Sequence, residues 1–220
     1  MAVPAAPLTV AVAADETMTL DAVKVTLGDR GIVVTETCST DAGPRRLRAE
    51  EASVWLVVTD LDDWDHIAQV RALVDRLSAP AVALTTAARG GLWGALLEAG
   101  AVGVVSAHTD SDTIERTLRA AAADRAVHPA AEAEDLVARW HQLRDERERT
   151  IGEVGSLTAR EREVLDLLYA GDTVADIAER FEVAVATVRS QVKSILRKLE
   201  VGSQLAAVAA YDRMLRPPRA

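Results

Sequence analysis

About the first 125 residues alternate five short apolar runs with five segments of helical spacing, and this alternation constrains the fold more than any other feature. The apolar runs are rich in β-branched residues, have the length of strands and lie at residues 8–13, 32–35, 54–59, 81–85 and 102–105. The helical segments lie at residues 18–27, 43–50, 66–77, 92–99 and 113–123. Five successive strand–helix units predict a parallel sheet covered by helices on both faces, because parallel strands need long crossovers. With right-handed crossovers the result is a doubly wound α/β domain, which we place at residues 1–127.

Residues 132–150 have a different pattern, with many charges and with Leu136, Trp140 and Leu143 on one helical stripe. The pattern predicts a helical linker over residues 128–154, whose stripe either packs on a domain or forms a dimer contact. Gly152 and Gly155 then indicate the start of a second, all-helical domain at residues 155–220.

The charge is divided unevenly between these regions. The whole chain has a formal net charge of −9, from 25 Lys and Arg against 34 Asp and Glu. Residues 155–220 hold ten of the basic and nine of the acidic residues, so residues 1–154 carry the acidic excess. No acid lies between Thr187 and Leu199, where four basic residues occur: Arg189, Lys193, Arg197 and Lys198. Such local basicity suits attraction to phosphate, whatever the sum over the chain.

Helix signals in the C-terminal segment are specific. Thr158-Ala-Arg-Glu161 has the spacing of a capping box, Gly171 is a natural terminator, and Thr173-Val-Ala-Asp176 is a second, weaker start. A short turn through Glu182 and Val183 then leads to a third helix at residues 185–199. Its apolar stripe is formed by Val188, Val192, Ile195, Leu196 and Leu199.

The other face of this third helix carries Arg189, Ser190 and Lys193. Two helices with a tight turn between them, the second basic on its exposed face, suit entry into the DNA major groove. Arginine and lysine donate charged hydrogen bonds to guanine O6 and N7. The alternative interpretation is that each of these residues is only a solvated surface side chain.

About 55 residues of this segment resemble the LuxR-type (NarL/FixJ) helix-turn-helix, through LTAREREVLDLLYAG, IAERF, TVRSQVKSILRKLEV and the closing AAVAAY. The resemblance implies a transcription regulator that binds promoter DNA. It implies that Arg189, Ser190 and Lys193 read bases, while Thr187 and Gln191 help to hold the backbone. Arg197 and Lys198, two turns further along, are expected to be phosphate contacts or solvated charges. One such helix reads few base pairs, so we expect a homodimer on paired half-sites.

Three positions depart from that family's pattern. Glu182 stands where the family usually has glycine, Ala184 where it has serine, and Val174 where it often has asparagine. We expect a strained positive φ at Glu182 and a missing side-chain cap at Ala184, each costing roughly 1 kcal/mol.

The order of five βα units before a helix-turn-helix resembles a two-domain response regulator, with a receiver at roughly residues 8–125. The resemblance implies the flavodoxin-like sheet order 2-1-3-4-5. The receiver pocket would hold Asp60 as phosphoacceptor, Asp15 and Glu16 as acids after the first strand, Thr85 after the fourth, and Ala107 where the family has lysine. The usual aromatic switch position is Val104.

The replacements remove chemistry that phosphorylation needs. Ala14 stands in place of one of the paired acids and Ala107 in place of the lysine that neutralises the transferred group. Glu16 or Asp62 could substitute as a metal ligand. We therefore expect an atypical receiver that responds without aspartyl phosphorylation, to a small-molecule or protein ligand. The alternative is a conventional phosphorylation-dependent regulator using Asp60.

Composition narrows the remaining functions. No apolar run reaches the roughly 18 residues of a membrane span, and no basic residue precedes the first apolar stretch, so we expect a cytoplasmic protein. Cys38 is the only cysteine, and the four histidines, His66, His108, His128 and His141, lack metal-ligand spacing. They are expected to be scattered surface residues, and no metal or cofactor is expected.

The sequence also contains features of two other classes of function and of one other site. Asp60-Leu-Asp62 resembles the DxD nucleophile of haloacid-dehalogenase-type phosphatases, but that motif normally follows the first strand, and here Lys24 precedes it. We therefore expect no enzyme. A sigma-factor-like module shares the REREVL helix style, but the preceding domain argues against it. Trp64 and Trp93 either flank a pocket above the strands or are packing residues, and packing is favoured.

Overall fold

The computed structural model describes residues 8–15, 17–40 and 52–218. The chain divides into two compact units, residues 1–142 and 143–218, and the division lies inside one long helix. The predicted helix at residues 43–50 lies outside the described residues. The predicted domain limits at residues 127 and 155 stay a prediction.

The first unit is built on a five-stranded parallel sheet in the order β2-β1-β3-β4-β5, which confirms the predicted topology. The strands are β1 (Thr9–Ala14), β2 (Val33–Ser39), β3 (Val54–Thr59), β4 (Ala81–Thr85) and β5 (Ala101–Ser106). The helices are α1 (Thr17–Gly28), α2 (Trp64–Val74), α3 (Gly91–Glu98), α4 (Ser111–Ala122) and α5 (Ala130–Gly155). Every residue of β4 is buried, as expected of an interior strand with helices on both sides.

Helix α5 runs from Ala130 to Gly155, beyond both ends of the charged segment at residues 132–150. Leu136 and Trp140 are each 3% exposed, so the predicted stripe packs against the first unit in this half of the helix. Of the two glycines predicted to mark the start of the second domain, Gly155 is the last residue of α5, whereas Gly152 lies inside the helix. The second unit buries Thr150 and Val154, to 7% and 2% exposure, and this packing outweighs the low helix propensity of glycine.

The second unit contains α6 (Ala159–Ala170), α7 (Val174–Arg180), α8 (Val185–Lys198) and α9 (Gln204–Leu215). Both predicted capping boxes are formed, at Thr158 and at Thr173. Gly171 ends α6 in the left-handed conformation, at φ 100°. One apolar core joins the four helices, including Leu165, Ile177, Val188, Ile195 and Tyr211. The helix-turn-helix is α7, the turn through Glu182, and α8.

Candidate functional sites

The exposed face of α8 carries the basic residues singled out from the sequence. Arg189, Ser190 and Lys193 are exposed, whereas Val188 and Ile195 on the opposite side are 0% and 1% exposed. Within the described part of the chain, Arg189, Lys193 and Arg197 form no ion pair. The face therefore presents cations that no acid of the second unit neutralises.

The start of α8 differs from the starts of α6 and α7. Its N-cap residue, Ala184, makes no side-chain capping bond, and the first turn contains no acid. Glu182 in the preceding turn has φ 53°, so both expected departures of this turn are confirmed. Val185, in the first turn, is 38% exposed. The first turn of α8 thus has neither a capping side chain nor an acid to compensate the positive end of the helix dipole.

Two of the predicted contact residues are placed differently from Arg189 and Lys193. Gln191 is half-buried, and its Oε1 atom is buried with no hydrogen-bond partner among the described residues. Lys198 points back into the domain, where its Nζ donates to Glu161 Oε2 at 2.7 Å and to the Ser156 carbonyl at 3.2 Å. No sequence pattern indicates this second role, and the phosphate contact of Lys198 stays a prediction.

Glu161 connects the start of α6 to α8. The residue is 7% exposed and its Oε2 also accepts hydrogen bonds from the Thr158 backbone N–H and hydroxyl, at 2.8 and 3.0 Å. Burial raises the pKa of this carboxyl, but hydrogen bonds from Lys198, Ser194 and Thr158 outweigh burial and lower the pKa from 4.5 to about 2. The carboxylate therefore stays ionised and fixes the position of α8 on α6.

Replacing Glu161 with glutamine is expected to lower the free energy of unfolding of the second unit by about 2 kcal/mol at neutral pH, because Lys198 loses a carboxylate partner in a secluded position. Since the folded pKa lies below the ordinary value, this stabilisation is complete above about pH 4.5 and is lost as the pH falls towards 2. Hydrogen–deuterium exchange of peptides from α6 and α8, at pH 7 and at low pH, measures both effects.

Glu163→Gln is the matched control for this prediction, because the Glu163 side chain is 54% exposed and pairs with Arg160 on the surface. Its effect should stay below about 0.5 kcal/mol. Equal protection of Glu161→Gln and the wild type at pH 7 would contradict the structural role given to this carboxylate.

The carboxyl ends of the strands bring the receiver-like residues to one edge of the sheet. The Asp60 backbone N–H donates to Asp15 Oδ2 at 3.1 Å, and the Ala107 N–H donates to the Thr85 carbonyl at 2.8 Å. Ala107 is half-buried and packs its methyl group on the core. Glu16 lies outside the described residues.

The hydroxyl that reaches Asp60 belongs to Thr86, not to Thr85. Thr85 is 1% exposed and its Oγ1 accepts from the Ala87 N–H at 3.1 Å, whereas Thr86 Oγ1 donates to Asp60 Oδ1 at 2.9 Å. Next to Asp60, Leu61 is buried with φ 56°, a conformation that side chains other than glycine rarely adopt. Backbone strain of this kind is often found at functional sites.

His66 is a member of this edge that sequence reasoning missed. Its Nε2 atom lies 3.1 Å from Asp15 Oδ2 and 2.9 Å from Thr59 Oγ1, and its side chain is 14% exposed. Thr40 Oγ1 donates to the other oxygen, Asp15 Oδ1, at 2.6 Å. Both oxygens of Asp15 are therefore engaged by groups of this chain.

The prediction of four scattered surface histidines was wrong for two of them. Besides His66, His128 is largely buried, with a side chain 12% exposed and bonded to Glu132 and to the Val104 backbone. His141 is half-exposed and contacts Glu98 at 2.5 Å, while His108 is exposed. Across residues 8–15, 17–40 and 52–218, no group of three or more His, Cys, Asp or Glu side chains is arranged to hold a metal ion.

Both tryptophans considered for a pocket are packing residues. Trp64 is 8% exposed, with its ring 6.3 Å from that of Trp140. Trp93 is 7% exposed and donates from Nε1 to the Ala87 carbonyl at 2.9 Å.

Among the helices of the described residues, none is long and apolar enough to cross a lipid bilayer.

Known proteins and one family model are similar to parts of this chain. Residues 155–210 match the family model described as bacterial regulatory proteins, luxR family. The transcriptional regulatory protein DesR of Bacillus subtilis is 28% identical over 127 residues, which cover 58% of this chain and 57% of DesR. The nitrate/nitrite response regulator protein NarL of Escherichia coli is 32% identical over 111 residues, which cover 50% of each chain. The matches thus span about half the length of these curated relatives.

Solved structures with similar folds cover nearly the whole chain at low identity. The RcsB response regulator of Salmonella typhimurium is 20% identical, with 94% of this chain and 98% of RcsB covered and a TM-score of 0.46. The response regulator ChrA of a heme-sensing two-component system is 22% identical, with 95% and 99% covered and a TM-score of 0.48.

Proposed function

We propose that this chain, a LuxR-type two-domain response regulator whose C-terminal unit belongs to the luxR family of bacterial regulatory proteins, controls transcription by binding promoter DNA through α8. In this proposal, Arg189, Ser190 and Lys193 contact base edges. Thr187, Gln191 and Arg197 contact the phosphate backbone. The N-terminal unit controls the protein without aspartyl phosphorylation, and a small molecule or a protein partner supplies its signal.

The observation that carries the DNA-binding proposal is the unneutralised basic face of α8. Most other basic side chains of the second unit have an acidic partner, as in the pairs of Arg160 with Glu163 and Arg162 with Asp166. Arg189 and Lys193 have none among the described residues, although acids are abundant elsewhere in the chain. The start of α8 has no side-chain cap and no acid in its first turn, an arrangement that suits a phosphate.

Genome-wide mapping of binding sites, followed by fluorescence anisotropy on mapped and scrambled duplexes, tests this function. We expect the mapped site to bind at least about a thousandfold more tightly than scrambled DNA at physiological salt. Equal affinity for both duplexes would contradict sequence-specific regulation.

Three features of the strand edge support control without phosphorylation. Both oxygens of Asp15 are engaged, Oδ1 by the Thr40 hydroxyl and Oδ2 by His66 and the Asp60 backbone N–H. Ala107 contributes a methyl group where a cation would neutralise the transferred phosphoryl group. Divalent magnesium needs several hard oxygen ligands in fixed geometry. Among the described residues, no three His, Cys, Asp or Glu side chains are grouped so as to hold a metal ion.

We therefore expect no phosphorylation by a small phosphodonor. After incubation with magnesium and acetyl phosphate, intact-mass measurement should show a single unmodified species. The reason is that the site lacks one acid that would hold the metal and the lysine that would neutralise the phosphoryl oxygens. Asp60→Asn is the control. A substantial phosphorylated species that disappears in Asp60→Asn would favour the alternative, a conventional response regulator that uses Asp60.

We also expect a homodimer on DNA, bound to a direct or inverted pair of half-sites about one helical turn apart. One recognition helix contacts too few base pairs to find its site in a genome. Light scattering on the free protein and on its complex with mapped DNA measures the stoichiometry. A single subunit bound tightly and specifically to its site would count against this prediction.

A further inference from the structure

A cavity of about 480 Å³ opens between α1 and α4 in the first unit. Its floor is formed by Leu56 of β3 and Leu84 of β4, which belong to the same apolar core as the inward residues of both helices. The residues that α1 presents to the cavity include Ala22 and Thr26, both exposed. Because these side chains are small, the two helices do not close over the sheet here, and an apolar recess remains.

One end of the recess is bounded by charged side chains that pair with one another. The Arg30 guanidinium lies 2.6 Å from Asp112 and 3.0 Å from Glu115, and it donates to Ser111 Oγ at 2.7 Å. Arg119 pairs with the other oxygen of Glu115 at 2.9 Å, so two carboxylates face two cations. The rim therefore has no excess positive charge that would attract an anion. Since Ser111 Oγ accepts from Arg30, its own hydroxyl proton is available to a ligand. The Thr26 hydroxyl, by contrast, already donates to the Ala22 carbonyl at 2.9 Å.

We propose that this recess binds a neutral, largely apolar small molecule that carries one hydrogen-bond acceptor for the Ser111 hydroxyl. The volume lies within the range of about 300–1,000 Å³ found for small-molecule sites. An apolar cavity of about 150 Å³ accepts benzene, so this one accommodates a molecule of roughly two or three rings. The buried leucine floor supplies apolar contact, the paired rim excludes charge, and Ser111 supplies orientation. The site goes beyond the proposed DNA-binding function and does not depend on it.

Titration of the full-length protein with prodan, a neutral naphthalene ketone whose emission shifts to the blue in apolar surroundings, tests the site. We expect saturable one-to-one binding with a blue shift. Ala22→Phe fills the recess and should weaken binding at least about tenfold. Thr26→Leu, a smaller change, provides the same test if Ala22→Phe does not fold. Ser111→Ala should weaken binding a few-fold and alter the emission maximum, because the ketone loses its donor.

Ala68→Phe is the matched control, since Ala68 is exposed on α2 and does not line the cavity; its affinity should equal that of the wild type. The anionic dye anilinonaphthalene sulfonate should bind about tenfold more weakly than prodan, because Asp112 and Glu115 neutralise Arg30. Absence of saturable prodan binding, or undiminished binding by both folded cavity-filling variants, would overturn the assignment. Equal affinity for the anionic dye would overturn the choice of a neutral ligand.

Discussion

Replacing Arg189 and Lys193 together with alanine is expected to abolish specific recognition of the mapped site. Each side chain that reaches a base edge contributes about 1–3 kcal/mol, so the pair should cost about 4 kcal/mol, roughly a thousandfold in Kd. Both residues are exposed and lie opposite the buried Val188 and Ile195, so the fold should be unaffected. Fluorescence anisotropy at a fixed salt concentration measures the loss, with circular dichroism as the check of folding.

Arg162→Ala with Arg213→Ala is the control that removes the same charge from the same unit. These residues lie on α6 and α9, where they pair with Asp166 and Glu146. Their loss should weaken binding only through the long-range field, by less than about tenfold. If the double variant of α8 binds like the wild type, α8 is not the recognition helix.

Gly94→Ala is expected to destabilise the first unit by about 3 kcal/mol, although alanine in a helix is normally better than glycine by about 1 kcal/mol. The reason is the close approach of α5 to α3. A Cβ atom on Gly94 would overlap the carbonyl group of Leu136. To relieve the overlap, α5 must move away from α3, and this motion exposes Leu136 and Trp140. It also disturbs the hydrogen bond from Trp140 Nε1 to Glu98 at 2.8 Å.

Gly152→Ala makes the same substitution inside another helix, and we expect the opposite effect on stability. A Cβ atom on Gly152, inside α5, meets nothing within 4 Å. This variant should be as stable as the wild type or more stable by up to about 1 kcal/mol. Urea unfolding followed by circular dichroism compares the two. A stability gain in Gly94→Ala would show that α5 does not pack on α3 as described.

The elements that were predictable from the sequence are those whose own residues decide their structure. The interior strands β3 and β4 were placed at their observed bounds, because continuous apolar runs of that length suit a strand covered on both faces. The edge strand β2 extends to Ser39, four residues beyond the predicted run at residues 32–35, because its backbone pairing with β1 continues to that residue. The helix starts at Thr158 and Thr173 were predictable for a similar reason, since each box is closed within four residues.

The candidate sites were less predictable where distant residues meet. His66 reaches Asp15 across 51 positions of sequence only because Asp63 caps α2 and sets the rotation of its first turn. Lys198 was predicted to lie near DNA, but its Nζ atom donates to Glu161, which is 37 residues away and belongs to the capping box of α6. The apolar pattern of β4 could have shown which threonine contacts Asp60. Because the whole strand is buried, its last residue, Thr85, lies in the core, and Thr86, just after the strand, lies beside Asp60.

The most direct test of base reading by α8 is a comparison of Lys193→Ala with the wild type on the mapped duplex and on a set of duplexes with single base-pair changes, at several salt concentrations. If Lys193 contacts a base edge, the wild type should lose about 1–3 kcal/mol at one base pair, and the variant should bind all bases there alike. The salt dependence should then be the same for both proteins. Uniformly weaker binding to every duplex, with a salt slope smaller by about one, would mean that Lys193 contacts only phosphate and would contradict the assignment of base reading to this residue.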